Sequence, residues 1–254
     1  MSTSETSNSF DKVIVILGPT GSGKTGMAVK LAKAINGEVI SADSRAIYKG
    51  MDVGTAKPSV VEMEGVPHFG LDLVEPGERF TVADFKAYAE EKIAEIRSRG
   101  HVPIIAGGTG LYIDALVYDY QFGNNQKTSA PDRGNLCTNY LLIGVKWGTE
   151  ELRERLKKRL DVMFDEPLYT ETRELVQKYG WGSQAMKSNV YKFVWQYLNG
   201  EISLEEAKEK SFYEDWHLAK RQLTWFKRTP EIIWLELEKI YTYVLKYIQD
   251  EQRN

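Results

Sequence analysis

A glycine-rich loop, Gly18-Pro19-Thr20-Gly21-Ser22-Gly23-Lys24-Thr25, has the G-x-x-x-x-G-K-[ST] spacing. Backbone N–H groups, one lysine and one hydroxyl at a helix N-terminus are the parts that hold a polyphosphate and its metal ion. In that pattern Lys24 reaches the terminal phosphates and Thr25 holds Mg2+ through its hydroxyl. The flanks fit. The run Val13-Ile14-Val15-Ile16-Leu17 is wholly apolar and mostly β-branched, as a strand buried on both faces of a parallel sheet would be. After the loop, Met27, Ala28, Leu31 and Ile35 share one helical face, and Asn36-Gly37 closes the helix.

Asp43 follows the loop by one helix and one strand, which sets it at the carboxyl end of the second strand, where open α/β sheets bind ligands. A carboxylate there can accept a proton from a nucleophile facing the bound phosphates. Asp-Ser is also ordinary turn and N-cap chemistry, and the local sequence leaves both readings open. Gly107-Gly108-Thr109-Gly110 follows a third apolar strand at the same sheet edge. Its glycines admit a ligand close to the backbone, and Thr109 offers a hydroxyl; a tight strand-to-helix turn explains it equally. Lys220 to Arg228 interleaves four cations with Trp225 and Phe226, a pattern suited either to phosphate contact with base stacking or to a plain amphipathic helix. Arg153, Arg155 and Arg159 lie on a charged helix, where most arginines are solvated. His68, His101 and His217 are far apart and lack metal-ligand spacing. A phosphate loop and an opposed carboxylate serve a small-molecule kinase as well as other enzymes with phosphorylated donors.

The elements that must position these groups follow from pattern. Strands are expected at 13–17, 38–42, 102–106 and 140–147, separated by helices and by a loop-rich stretch from Ser44 to Arg79. Thr81-Val82-Ala83-Asp84 and Ser203-Leu204-Glu205-Glu206 read as helix starts, each with a hydroxyl cap and an acid three residues on. This alternation argues an α/β fold with a three-layer core around a parallel sheet, followed by a C-terminal helical segment. With 254 residues, 42% apolar and 27% charged, the chain has the composition of a globular protein. Its formal net charge of −3 advertises no global nucleic-acid field but leaves room for a local basic face. A single cysteine, Cys137, excludes an internal disulfide framework and points to a reducing cytoplasmic setting. No apolar run reaches membrane-spanning length, and the polar first ten residues lack the core of a signal peptide.

Several of these segments together resemble the tRNA dimethylallyltransferase (tRNA isopentenyltransferase) family. The match is carried by residues 18–25, by Ile40-Ser-Ala-Asp-Ser-Arg45 and by Tyr48-Lys-Gly-Met-Asp-Val-Gly-Thr-Ala-Lys-Pro58, the last being long and specific. It continues through Val66-Pro-His68, Thr81-Val-Ala-Asp-Phe85, Gly107-Gly-Thr-Gly-Leu-Tyr112 and Ala219-Lys-Arg-Gln-Leu-Thr-Trp-Phe226. The resemblance covers residues 12–120 nearly continuously, and 140–163 and 183–235 more loosely. It implies a P-loop NTPase-like core and transfer of a dimethylallyl group from its diphosphate to N6 of an adenosine beside the tRNA anticodon. The loop residues Gly18, Pro19, Thr20, Gly21, Ser22, Gly23, Lys24 and Thr25 would then grip a diphosphate leaving group, with Mg2+ on Thr25. Asp43 matches the family's base, Arg159 aligns with an arginine that contacts the diphosphate, and Thr20 and Thr109 match positions touching donor or target nucleotide. Asp43, Ser44, Arg45 and Ala46 correspond to a segment that meets a flipped-out adenosine, and Lys220, Arg221 and Gln222 to a tRNA-facing segment. Partners implied are the anticodon stem-loop and dimethylallyl diphosphate, with no membrane, in a cytoplasmic monomer.

Three departures stand out. The helical insertion usual before the strand at Tyr140 has no counterpart beyond the polar stretch 121–139. Val190 replaces a glycine before Tyr191, and Asp215-Trp216 stands where the family often has Thr and Arg. The missing insertion raises the same chemistry on free AMP, ADP or ATP as an alternative. The expected organisation is a disordered tail over 1–10, a P-loop core over 11–120 and a linker over 121–139. The remainder of the core with C-terminal helices follows over 140–235, then a helical tail over 236–254.

Overall fold

The computed structural model describes residues 10–122 and 134–253, apart from 184 and 187–189. The tail expected over 1–10, except Phe10, and most of the linker expected over 121–139 lie outside the described residues.

Six strands form one sheet: β1 (Val13–Leu17), β2 (Gly37–Ala42), β3 (His68–Phe69), β4 (Val102–Gly107), β5 (Tyr140–Lys146) and β6 (Ile233–Glu236). Their order is β3-β2-β4-β1-β5-β6 and every pairing is parallel. Nine helices are described: α1 (Lys24–Ile35), α2 (Val60–Met63), α3 (Val82–Ser98), α4 (Gly110–Val117), α5 (Thr149–Met163), α6 (Glu166–Tyr179), α7 (Val190–Leu198), α8 (Leu204–Phe226) and α9 (Leu237–Glu251). The expected helix starts are present as capping boxes, Thr81 with Asp84 on α3 and Ser203 with Glu206 on α8.

Alternation along β1 builds the three layers. Ile14 and Ile16 pack with α1 and α9 on one face, while Val13, Val15 and Leu17 pack with α3 and α4 on the other. A third cluster, from α5 to α8, forms a helical lobe that also buries Met51. The fold is a P-loop NTPase-like α/β core with a parallel sheet and additional helices.

Register sets the site. Leu17 pairs with Gly107, and Gly107 pairs with Ala42, so β1, β4 and β2 end side by side. The next residues, Gly18, Gly108 and Asp43, therefore leave the sheet in one row. That row lies where the chain, having built β2 and β3 on one side of β1, crosses to build β5 and β6 on the other.

Two boundaries differ from the sequence reading. Phe10 is buried and meets Tyr247 edge to face at 6.4 Å, so it belongs to the core rather than to a tail. The segment after 235 is helical, and it is no appendage: β6 extends the sheet and α9 covers it through Ile240, Val244 and Ile248. Periodicity marks α9 as a helix but cannot say that the sheet has an uncovered strip for it. Ile240→Ala should lower unfolding stability by about 2–5 kcal/mol, as truncation of a fully buried side chain does. Urea denaturation measures this, and a loss well under 1 kcal/mol would place α9 outside the core.

Candidate active site

The loop between β1 and α1 owes its shape to glycines with positive φ. Gly21 has φ 73° and Gly23 φ 85°, left-handed values that other residues rarely adopt. They turn the chain so that α1 begins at Lys24, directing helix N-terminal amides toward the sheet edge. Around the loop is a cavity of about 940 Å³, lined among others by Lys24, Asp43, Thr109, Arg159, Arg221 and Trp225.

The loop is braced from four sides. Trp147, just past β5, donates its indole N–H to the Ser22 carbonyl at 2.9 Å. Arg155 donates to the Gly21 carbonyl at 2.9 Å and stacks its guanidinium over Trp147. Arg159, one helical turn on, donates to the Thr20 hydroxyl at 2.8 Å and to Asp215 at 3.3 Å. The Thr20 N–H is accepted by the Gln222 side-chain oxygen at 2.8 Å. Lys24 donates to the Pro19 carbonyl at 2.8 Å. Burial of the Lys24 ammonium pulls its pKa down to about 8; Asp43 opposes that shift and Arg159 adds to it.

Opposite the loop, Asp43 accepts the Arg45 N–H at 2.9 Å, the turn chemistry its sequence context allows. It is half-buried, and one oxygen fixed this way leaves the carboxylate facing the cavity. The Thr109 hydroxyl accepts the Ser44 N–H at 2.9 Å and donates to the Ser44 hydroxyl at 3.2 Å, so the turns after β2 and β4 are tied together. These residues make turns, and the turns line the cavity.

The 220–228 stretch is the last turns of α8, which ends at Phe226, and the turn that follows it, with residues in the core as well as on the surface. Ala219 and Phe226 are buried. Trp225 lies against Gly110 and donates its indole N–H to buried Asp114 at 3.0 Å. Lys220 and Arg221 are exposed, with Arg221 on the cavity wall and Lys220 above the Trp216 ring. Gln222, expected to face RNA with them, turns inward to the loop. Arg153, treated in sequence as one of three equivalent arginines, sits over Phe212 and Trp216 instead. Asp215 is buried beside Arg159; burial raises its pKa and the arginine opposes the rise.

Sequence reasoning missed Glu171, Trp147 and the loop contact of Arg155. Glu171, on α6, accepts the backbone N–H groups of Asp52, Val53 and Gly54 at 2.8–2.9 Å and the Tyr191 hydroxyl at 2.6 Å. Lys57 completes the clamp, reaching the Tyr48 carbonyl, Asp52 and Asp72. This holds the 48–58 segment so that Gly54, Thr55 and Pro58 form part of the cavity wall. An acid midway along a charged helix carries no local signal of such a role. Among the described residues no group of three His, Cys, Asp or Glu side chains gathers to hold a metal ion, and no helix is long and apolar enough to cross a membrane.

Fold and cavity together define a P-loop α/β protein with a cationic loop facing a carboxylate. The IPP transferase family model matches residues 46–134 and 123–229, and the chain belongs to that family. It is 35% identical to a tRNA dimethylallyltransferase of Staphylococcus saprophyticus, over 90% of this chain and 92% of the relative. That alignment runs over 290 positions, more than this chain contains, so the relative carries residues with no counterpart here. Among solved structures, a tRNA delta(2)-isopentenylpyrophosphate transferase of Staphylococcus epidermidis superposes with a TM-score of 0.81 at 35% identity, covering 95% of this chain and 98% of that one. A tRNA isopentenylpyrophosphate transferase of Bacillus halodurans gives 0.84 at 30% identity, covering 96% and 98%.

Glu171→Ala leaves three successive backbone donors without their acceptor. The amides of Asp52, Val53 and Gly54 should then exchange with solvent roughly tenfold faster or more. Hydrogen-exchange mass spectrometry reads this directly, and unchanged protection would mean that the segment is held by other contacts.

Proposed function

We infer that the protein is a prenyltransferase that moves the dimethylallyl group of dimethylallyl diphosphate to N6 of an adenosine next to the anticodon in tRNA, releasing diphosphate. The observation that carries this reading is the shared row at the sheet edge: phosphate loop, carboxylate and Thr109 turn face one cavity in a chain of the IPP transferase family. Its relatives are named tRNA dimethylallyltransferases, which favours this acceptor over a free nucleotide.

The chemistry asks for two things at once. As the carbon–oxygen bond to the donor breaks, the electron pair leaves with the diphosphate, and the growing negative charge needs fixed positive partners. Lys24, Arg159 and the free amides at the start of α1 line the cavity and would supply them. As the new carbon–nitrogen bond forms, the adenine amine gives up a proton, and Asp43 is the group positioned to take it. Entry of N6 into the cavity requires the adenosine to leave its stack. Ser44, Arg45 and Ala46 adjoin Asp43 on that wall, and exposed Lys220 and Arg221 suit phosphates of the approaching RNA.

Thr25 is an exposed oxygen donor at the start of α1 on the cavity wall, which suits magnesium, a hard ion that takes few protein ligands beside phosphate oxygens and water. Thr25 would hold it, and the ion supplies charge neutralisation on the diphosphate. One chain holds the whole residue set, so a monomer acting on cytoplasmic tRNA is the form we propose.

Incubation of tRNA with dimethylallyl diphosphate, followed by mass spectrometry of the nucleosides, should yield a dimethylallyl adenosine. Asp43→Ala should slow its formation by about 10²–10⁴-fold. Modification of AMP but never of an anticodon stem-loop would overturn the tRNA assignment. Lys24 is charged below a pKa of about 8 and neutral above it. Affinity for inorganic diphosphate, measured by calorimetry, should therefore fall as pH rises through that value. The ligand's own ionisations are common to Lys24→Met, so the ratio of wild-type to variant affinity should show the fall and the variant alone should not. A ratio flat with pH would remove Lys24 from the grip.

A further inference from the structure

We propose that Gln222 is a positioning residue that sets the donor loop and the Gly107–Thr109 turn relative to each other, rather than a contact for RNA. This rests on the prenyl-transfer reading for the meaning of the two loops, but the brace itself is a matter of geometry. One side-chain amide uses both its ends. Its oxygen accepts the Thr20 N–H at 2.8 Å, and its nitrogen donates to the Gly108 carbonyl at 3.0 Å. The two loops approach so closely there that a Cβ on Gly108 would lie 2.4 Å from the Gln222 nitrogen and 3.2 Å from the Gly18 carbonyl. A side chain on Gly108 would displace the amide from this position.

The consequences run to both sides of the reaction. Thr20 is the residue whose hydroxyl takes Arg159, so Gln222 fixes the backbone at the point where the arginine grips the loop. Gly108 precedes Thr109, which ties to Ser44 beside Asp43. A single amide thus spans from the leaving-group side to the proton-accepting side. Only a group with an acceptor and a donor on one rigid plane does this; a carboxylate would set an oxygen against the Gly108 carbonyl. Gln222 shares its helix face with Asp215, which pairs with Arg159, and Trp225, which covers Gly110. This face of α8 therefore acts as a straightedge for the site, while exposed Arg221 lies at the cavity wall and Lys220 lies outside the cavity lining.

Gln222→Met keeps the side chain's length and loses both hydrogen bonds; Gln222→Ala removes the volume as well. In either variant the Thr20 amide should lose protection from hydrogen exchange. Affinity for inorganic diphosphate with magnesium should weaken by about tenfold, as two lost hydrogen bonds in a binding loop predict. Affinity for an anticodon stem-loop RNA should stay within about twofold, where Lys220→Ala should lower it through the lost phosphate contact. Reduced RNA affinity with unchanged diphosphate affinity would overturn the proposal, as would unaltered Thr20 exchange in Gln222→Met, the variant least disturbing to folding. Failure of the wild-type protein to bind diphosphate would instead overturn the prenyl-transfer reading, and the Thr20 exchange result would still decide the brace.

Discussion

The turn between β1 and α1 has to hold one shape for the cavity around it to exist, and glycine works against that. Gly21 and Gly23 are needed because the turn enters the left-handed region, yet each glycine adds conformational freedom that folding must remove. The loop restrains itself only at the Pro19 carbonyl, which accepts the Ser22 N–H and the Lys24 ammonium. Its carbonyls and amides are otherwise tied to Trp147, Arg155 and Gln222, and the Thr20 hydroxyl to Arg159. These residues come from the sheet edge, from α5 and from α8, so the shape of the loop depends on the helical lobe being docked. The arrangement is preorganised in the physical sense: the dipoles are oriented before the charge arrives.

The same lobe shapes the opposite wall. Glu171 on α6 and Tyr191 on α7 hold the 52–54 backbone, and Gly54 has room for no Cβ because the Tyr191 ring lies 2.4 Å from where it would be. A segment without regular structure is thus pinned by one carboxylate taking three successive amides. These donors run from exposed at Asp52 to buried at Gly54, and a side chain supplies the acceptor that a neighbouring strand would otherwise provide. The long Tyr48–Pro58 motif reads as an unusual run in sequence; in the fold it is a wall of the cavity.

Asp215 and Trp216, two residues that the sequence reading marks as departures from the family, lie beside the site rather than in the loop. Asp215 is buried against Arg159 and Trp216 lies beneath Arg153 and Lys220. The first restrains an arginine that would meet a diphosphate, and the second makes a mixed cationic and aromatic surface next to the cavity. The residues of the relatives that lack a counterpart here leave the sheet, the loop and the Asp43 wall complete, as the close superposition on two bacterial transferases reflects.

From sequence alone, the loop, the buried strands on either side of it, the capped starts of α3 and α8 and the placement of Asp43 after β2 were legible. Each rests on local rules: glycine torsions, period-two and period-3.6 burial, and hydroxyl caps. The family motifs added Arg159 and the 48–58 segment. Tertiary structure decided what local rules do not reach. It aligned Leu17, Gly107 and Ala42 so that three loops share a row, turned Gln222 inward from a run of outward cations, singled out Arg155 and Arg159 from Arg153, and gave Glu171 its three amides. It also brought β6 and α9 from the end of the chain into the core. The physical reason is common to all of these. A side chain's type and helical phase say what it can bond, but which partner comes within 3 Å depends on how distant elements pack, and that is written in no short window of sequence.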